Sequence, residues 1–238
     1  MDELSFNIYV PSYKRSDVIL TNDLLEYCTY VVRKSEEKKY REAGIENLLC
    51  VDDELINSGA KVVYWIAENA PEDVIAIIDD DIKDFLYRCD TNDKIGKNKE
   101  IITSEIERIA QLIVDLDIGF GFIDATSIPY NYVQEFGFKG VCGGIKWVYR
   151  KNFKAKLDEK VTYNFDCDII MQELLHNRIT LNPKYFCSID VMKVNKGGEA
   201  VNRLRQDQLD SINNMKLKWG SHFKYNLKSD KPTIDVPR

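Results

Sequence analysis

The sequence has little of what marks several other classes of protein. Its 238 residues include only two histidines and six cysteines, and no two cysteines stand in a CxxC spacing. Scattered cysteines without a dense framework indicate reduced thiols rather than disulfides, which favours a cytoplasmic protein. The six are Cys28, Cys50, Cys89, Cys142, Cys167 and Cys187.

Long apolar runs and an excess of positive charge are also missing. No stretch approaches the length of a membrane span, and the polar MDELSFN start is unlike a signal peptide, so we expect no membrane association. The net charge of −6 gives no general attraction to a polyanion, so a contact with nucleic acid needs a local basic patch.

What is present is an alternation of short apolar strands with amphipathic helices through the first half of the chain. A composition of 44% hydrophobic and 11% aromatic residues is that of a globular protein. Consecutive strand-helix units predict an α/β fold with a mostly parallel, Rossmann-like central sheet flanked by helices. The predicted strands are 6–10, 28–32, 48–51 and 74–78, and the predicted helices are 17–27, 35–44 and 61–70.

The second half continues with helices and strands and then becomes more polar. Ser104 and Glu107 have the spacing of a capping box and predict a helix start there. Strands are predicted over 118–123 and 141–149, and a helix over 166–178. No segment resembles a linker, so we expect a single domain over 1–238, with a polar, partly irregular C-terminal extension that covers the front face or forms a lid.

The stretch VIAIIDDDIKDF raises the question of why a buried strand should run into three acids. Val74 to Ile78 are apolar, and Asp79, Asp80 and Asp81 follow at once. Ligands of open α/β sheets bind beyond the carboxyl ends of the strands, and two carboxylates at such an end suit Mg²⁺ or Mn²⁺. The alternative is a solvated acidic turn.

Three segments together resemble the nucleotide-sugar glycosyltransferases of the GT-A fold. They are VPSYKR at 10–15, VVRKSE at 31–36 and IDDD at 78–81, each after a predicted strand. The first and last also resemble, more narrowly, the phage-borne glycosyltransferases associated with TET-type dioxygenases, which modify hydroxymethylated pyrimidines in DNA. The resemblance implies a nucleotide-sugar-binding half over 1–90, an acceptor half over 100–195 and a C-terminal tail or lid over 196–238.

The resemblance also implies roles for the residues of the donor half. Asp81 would ligate the metal, and Asp79 would contact the ribose or metal-bound water, as in the Asp-x-Asp motif of that family. The loop after the first strand would hold the base, with Tyr13 stacking on uracil and Arg15 or Lys14 meeting phosphate; the alternative is a solvated turn. The other nucleotide-sugar-binding candidates are Pro11, Ser12, Arg33, Glu36, Asp52, Asp80, Gly143 and Gly144.

On the acceptor side the family carries an acidic motif at a helix N-terminus. Asp166 and Asp168 in NFDCD resemble it, although the usual pair is Glu-Asp, which leaves the catalytic base open between them. We take Asp168 as the base and Asp166 as the alternate. Acids are also common at helix N-termini for purely structural reasons. His222 resembles the late histidine that many of these enzymes add as a metal ligand.

The tail segment KLKWGSHFKYNLK interleaves basic and aromatic residues. Lys216, Lys218, Trp219 and Lys224, with Lys196, Arg203 and Arg205, are therefore candidates for an acceptor surface that contacts DNA. An ordinary solvated tail with inward-facing aromatics is the alternative. The resemblance favours an inverting transferase that uses Mn²⁺ or Mg²⁺ and a UDP-sugar on hydroxymethylpyrimidine DNA, in the host cytoplasm if phage-encoded. A glycan or protein acceptor, or a non-catalytic nucleotide-sugar-binding module, are the alternatives.

Overall fold

The computed structural model describes residues 4–88, 92–124, 134–190 and 205–236. Its centre is a six-stranded sheet in the order β3-β2-β1-β4-β9-β7. Smaller antiparallel groups join β5 with β6 and β11, β8 with β10, and β12 with β13. The strands are β1 Phe6–Pro11, β2 Thr29–Arg33, β3 Leu48–Val51, β4 Val74–Ile78, β5 Ile82–Arg88, β6 Asn92–Lys94, β7 Phe120–Asp124, β8 Phe136–Gly137, β9 Cys142–Tyr149, β10 Asn182–Pro183, β11 Phe186–Asp190, β12 Phe223–Asn226 and β13 Lys231–Ile234.

Helices cover both faces of the central sheet. The helices are α1 Glu37–Glu42, α2 Gly59–Asn69, α3 Lys99–Asp115, α4 Phe165–His176 and α5 Arg205–Trp219. The first four pack on the sheet, whereas α5 packs on α4 and β12. The first four strands are parallel to one another, and β9 runs antiparallel between β4 and β7. The expected α/β fold with a mostly parallel central sheet is confirmed.

The apolar run before the acidic triplet is explained by the position of β4 in the middle of this sheet. Val74, Ala76 and Ile78 pack into the core on the α3 face, whereas Ile75 and Ile77 pack on the opposite face with α2 and α4. A strand buried on both faces needs apolar residues at every position rather than at alternate ones. The chain therefore changes from fully buried to polar at one residue, Asp79.

One predicted helix does not form, and another begins earlier than the sequence indicates. Residues 17–27 form only a short 3-10 helix, Thr21–Asp23, because the Thr21 hydroxyl is used in tertiary bonds. It donates to the Asp79 carbonyl oxygen (2.8 Å) and accepts from the Ile82 backbone N–H (3.3 Å). The capping box is also wrong, since the Asn98 side chain caps α3 by accepting from Ile101 N–H, which leaves Ser104 inside the helix.

Two further segments are more regular than the sequence indicated. A strand, β5, follows the acidic triplet directly and pairs with β11. In the described part of the C-terminal segment, 205–236, α5 leads through a 3-10 turn into the β12–β13 hairpin. Met215 and Phe223 from this segment pack on Cys167 of α4. Among the described residues, no helix has the length and apolar character needed to cross a membrane.

Candidate functional site

The acidic triplet is held at the carboxyl edge of the sheet by backbone bonds on both sides. Asp79 N–H donates to the Gly144 carbonyl oxygen of β9 (2.9 Å), and Thr21 binds the Asp79 carbonyl as described. The three side chains then diverge: Asp79 is 45% exposed, Asp81 is 20% exposed and Asp80 is 6% exposed. Asp79 and Asp81 therefore face the open edge, while Asp80 turns into the protein.

Asp80 ties the loop after β1 to the triplet. Its carboxylate accepts from the Ser12 hydroxyl (2.5 Å) and from the Arg15 guanidinium. Burial raises the pKa of Asp80 to about 6, and the ion pair with Arg15 and the bond from Ser12 limit that rise. The Tyr40 hydroxyl lies 2.6 Å from the Ser12 hydroxyl and accepts from Arg15 N–H (3.2 Å). Ser12 and Asp80, two of the predicted nucleotide-binding residues, thus hold the loop after β1 in place through buried hydrogen bonds. A third, Pro11, is the last residue of β1.

We expect Tyr40→Phe to lower the free energy of unfolding by about 1–2 kcal/mol, because the buried Ser12 hydroxyl and Arg15 N–H both lose a hydrogen-bond partner. Urea unfolding measures the change. Tyr27→Phe is the matched control, since its hydroxyl bonds Glu107 on the surface and we expect a smaller loss. Equal losses in the two variants would contradict the supporting role of Tyr40.

Asp190, at the end of β11, is a fourth acid at this edge that the sequence analysis missed. Burial raises its pKa to about 6, the bond from Ser188 Oγ (2.6 Å) opposes the rise, and the charges of Asp79 and Asp81 add to it. Gly144 permits this approach, because a Cβ there would stand 3.0 Å from Asp190 Oδ1 and 3.1 Å from Ser188 Oγ. The signal was available: an acid closes the strand FCSID as Asp79 closes VIAII.

Two cations already contact the exposed acids. Arg15 Nη1 lies 3.1 Å from Asp81 Oδ2, so the predicted phosphate-binding Arg15 is an ion-pair partner of the triplet here. Lys146 of β9, with a side chain only 3% exposed, places Nζ 3.5 Å from Asp79 Oδ1 and 3.5 Å from Asp166 Oδ1. Burial lowers the pKa of Lys146, but Asp166 and Asp79 outweigh it and raise that pKa well above its ordinary value.

The two acceptor-side acids have different surroundings. Asp168 is 3% exposed, and its carboxylate accepts from Gln172 Nε2 (2.8 Å), Lys218 Nζ (2.9 Å) and Trp219 Nε1 (2.7 Å). Asp166 is 29% exposed and faces Lys146 and, beyond it, Asp79. Asp168 thus anchors the C-terminal segment to α4, whereas Asp166 lies at the edge where the triplet lies.

Two of the predicted base-binding residues, Tyr13 and Arg33, line a cavity that also borders residues just before α4 and residues of α5. The Arg33 guanidinium stacks on the Tyr13 ring at 3.8 Å, and Glu36 accepts from Lys14 N–H (3.0 Å), which fixes the loop. Asp52 instead pairs with Lys34 at the exposed surface (2.7 Å). The cavity has a volume of about 380 Å³ and is lined by Tyr13, Arg33, Asn57, Ser58, Glu159, Lys160, Thr162, Tyr163, Asp207, Asp210, Ser211 and Asn214.

The C-terminal basic and aromatic residues are largely used within the protein. Lys218 and Trp219 bind Asp168, and Lys224 pairs with Asp235 (2.8 Å). Phe223 is buried and Lys216 is exposed. Phe223 and Trp219 therefore face into the protein, as in the alternative of an ordinary tail with inward-facing aromatics. Arg205 begins α5, whereas Lys196, Arg203 and Cys89 lie outside the described residues.

The acids at the edge fit an open divalent-metal site rather than a closed cage. In the described ranges, no three His, Cys, Asp or Glu side chains form a group arranged to hold a metal ion. His222 does not join Asp79 and Asp81 in one, and its Nδ1 lies 2.9 Å from the Asp235 carbonyl oxygen. Burial of Asp81 and the negative charge of Asp79 raise the pKa of Asp81. A bound cation would stabilise the ionised carboxylates and so oppose that rise. Mg²⁺ typically takes one or two carboxylates and completes its shell with water and substrate phosphates.

Comparison with solved structures identifies the fold. Glucosyl-3-phosphoglycerate synthase from Mycobacterium tuberculosis, in complex with Mg²⁺ and uridine diphosphate, matches with a TM-score of 0.51 and 8% identity over 98% of this chain and 87% of its own. The complex of that enzyme with Mn²⁺, UDP-glucose and phosphoglyceric acid gives a TM-score of 0.51 and 7% identity over 98% and 88%. No protein-family model and no curated protein matches the chain. At these identities the likeness shows the GT-A fold alone.

Proposed function

We propose that the protein is a metal-dependent glycosyltransferase that moves a sugar from a UDP-sugar to a hydroxyl acceptor. The observation that carries this proposal is the arrangement of one sheet edge. Asp79 and Asp81 face the open edge. Arg15 joins Asp81 to the loop after β1, and Lys146 joins Asp79 to the partly exposed Asp166. The GT-A fold, and neighbours of that fold crystallised with UDP and Mn²⁺ or Mg²⁺, support the same reading.

In this proposal the donor side of the edge holds a nucleoside diphosphate and its cation. Asp81 and Asp79 would bind Mn²⁺ or Mg²⁺, with Asp190 close behind them. The bound ion would neutralise the negative charge of the departing diphosphate. Tyr13 and Arg33 form part of the lining of the cavity that would take the base. Gly143 and Gly144 of β9 would lie near the sugar, with Asp190 and Ser188 packed against Gly144.

On the acceptor side we now favour Asp166 over Asp168 as the catalytic base. Asp168 is buried and accepts hydrogen bonds from Gln172, Lys218 and Trp219, which leaves it poorly placed to take a substrate proton. Asp166 is more exposed and lies on the triplet side. The acceptor oxygen would attack the anomeric carbon as its proton passes to Asp166 and the bond to the diphosphate breaks, which inverts the configuration.

The acceptor is proposed to be the hydroxymethyl group of a modified pyrimidine in DNA. The support is the sequence resemblance at 10–15 and 78–81 and the exposed Lys216 and Lys224. Lys218 and Trp219 bind Asp168 instead of facing an acceptor, and the chain as a whole is acidic. A glycan, a protein or a small hydroxyl compound is the second candidate, favoured by these internal contacts.

The deciding experiment is incubation with a panel of UDP-sugars and Mn²⁺, with mass spectrometry of the acceptors. Duplex DNA containing hydroxymethylcytosine or hydroxymethyluracil is compared with the same duplex unmodified and with a panel of glycans. We expect a mass gain of one sugar on the hydroxymethylated duplex only. A gain on glycans alone would move the acceptor to the second candidate. Donor binding with neither transfer nor hydrolysis would instead indicate a non-catalytic binding module.

Metal binding at this edge is expected to weaken in acid. Because the pKa of Asp190 is raised to about 6, a cation that binds beside Asp79 and Asp81 below that pH must displace the proton. The affinity for Mn²⁺ in the presence of UDP should therefore fall up to about tenfold per pH unit below about pH 6. Calorimetry from pH 5 to 7.5 measures it. Asp190→Asn should flatten that fall, and an unchanged pH profile in the variant would remove Asp190 from the site.

A further inference from the structure

Lys146 is a buried cation at the candidate active site that no motif of the sequence marks. It lies in β9 opposite Ile77 of β4 and Phe122 of β7. Those two residues belong to the apolar layer between the sheet and helices α2 and α4. An ammonium group in such a layer carries a desolvation cost of several kcal/mol, so its presence needs a compensating interaction.

The compensation comes from two acids on opposite sides of the proposed reaction centre. Lys146 Nζ is 3.5 Å from Asp79 Oδ1, on the donor side, and 3.5 Å from Asp166 Oδ1, on the acceptor side. Asp79 and Asp166 belong to separate elements, the end of β4 and the first turn of α4. Lys146 is therefore the side chain that connects the two acids.

Helix geometry gives no folding reason for a cation at this place. The N-terminus of an α-helix carries a partial positive charge, which repels an ammonium group. A methionine of similar length would fill the same apolar layer without either electrostatic cost. The position thus costs folding energy, and such a cost is typical of residues retained for a site.

We propose that Lys146 is a positioning residue that holds the Asp166 carboxylate toward the donor side of the active site. This proposal rests on the proposed glycosyltransferase function. An ammonium 3.5 Å from a carboxylate oxygen of each acid restricts rotation of the Asp166 side chain and fixes its place relative to Asp79. Placement matters because a displacement of about 1 Å in a reacting group can cost about a hundredfold in rate.

If Lys146 positions Asp166, its replacement should lower turnover without weakening donor binding. In Lys146→Met, we expect kcat for UDP-sugar hydrolysis to fall about 30- to 100-fold. The affinity for Mn²⁺ with UDP should stay the same or increase, because a positive charge beside Asp79 has been removed. Lys151→Met is the matched control, since Lys151 is exposed just beyond β9 and should leave both quantities unchanged.

A double-mutant cycle with Asp166→Asn gives the decisive comparison. If Lys146 acts through Asp166, Lys146→Met should lower kcat by less than about threefold when Asp166 is already Asn. If Lys146→Met alone does not fold, the double variant is used in its place, because it lacks both the Lys146 ammonium and the Asp166 carboxylate. Its kcat is compared directly with that of Asp166→Asn. Additive losses in the cycle, an unchanged kcat in Lys146→Met, or more than a tenfold loss of UDP affinity would each overturn the proposal.

The failure of the proposed function is recognised separately. Hydrolysis and Mn²⁺-dependent UDP binding are first measured in the unaltered protein, without any acceptor. Absence of both would overturn the glycosyltransferase assignment and the role of Lys146 with it. Normal wild-type values with any of the three contrary results in the variants would overturn the role of Lys146 alone.

Discussion

Asp81→Asn is expected to lower the rate of UDP-sugar hydrolysis at saturating donor and metal by about 10³-fold or more. Asp81 is one of two triplet acids that face the open edge, and the leaving diphosphate depends on the cation that these acids hold. We also expect Mn²⁺-dependent UDP binding, measured by calorimetry, to weaken at least tenfold.

A substitution of the neighbouring Asp80 is the matched comparison for Asp81→Asn. Asp80→Asn removes the same charge one residue earlier, but from a buried carboxylate bonded to Ser12 and Arg15. Its main effect should be on the free energy of unfolding, with UDP binding less affected than in Asp81→Asn. Asp17→Asn, at an exposed position in the same half, should change neither. Normal Mn²⁺-dependent UDP binding in Asp81→Asn would remove the metal from this edge.

The strands that build this edge were predictable because their signals are local. β3 and β4 fall at the predicted residues, and the triplet follows β4 directly. Burial on both faces demands an unbroken apolar run, and that run is visible in the sequence without any knowledge of partners. Gly44 likewise ends the α1 region with a φ of +84°, a conformation that favours glycine.

The errors arose where tertiary contacts override local preference. Leu24 and Leu25 have helical spacing with Leu20, yet Thr21 is bonded to the backbone around the triplet and the segment follows that contact instead of forming a helix. Ser104 and Glu107 have capping-box spacing, but Asn98 caps the helix earlier. Intrinsic propensity favours one local backbone structure over another by a small free energy. A tertiary hydrogen bond worth about 1 kcal/mol is enough to reverse that preference.

The different roles of Asp166 and Asp168 could not be predicted from the local sequence either, for another reason. Asp166 and Asp168 are two residues apart on α4, and nothing in NFDCD says which one the C-terminal segment will contact. That choice is made by Lys218 and Trp219, some fifty positions further along the chain. Lys146 is similar, because its partners Asp79 and Asp166 come from distant segments.

Asp166→Asn and Asp168→Asn are therefore expected to fail in opposite ways. Asp166→Asn should lower kcat for transfer or hydrolysis by about 10²- to 10⁴-fold, the range for loss of a general base. Its stability should fall less than that of Asp168→Asn, because Lys146 keeps its ion pair with Asp79.

Asp168→Asn should instead destabilise the protein by about 2–3 kcal/mol, because its amide group meets three donors in a buried site. Once folded, at low temperature, it should retain most of its turnover. Urea unfolding and steady-state kinetics on the same preparations measure both quantities. The reverse result, with Asp168→Asn stable and inactive and Asp166→Asn active, would restore Asp168 as the base and require Lys218 and Trp219 to leave it when substrate binds.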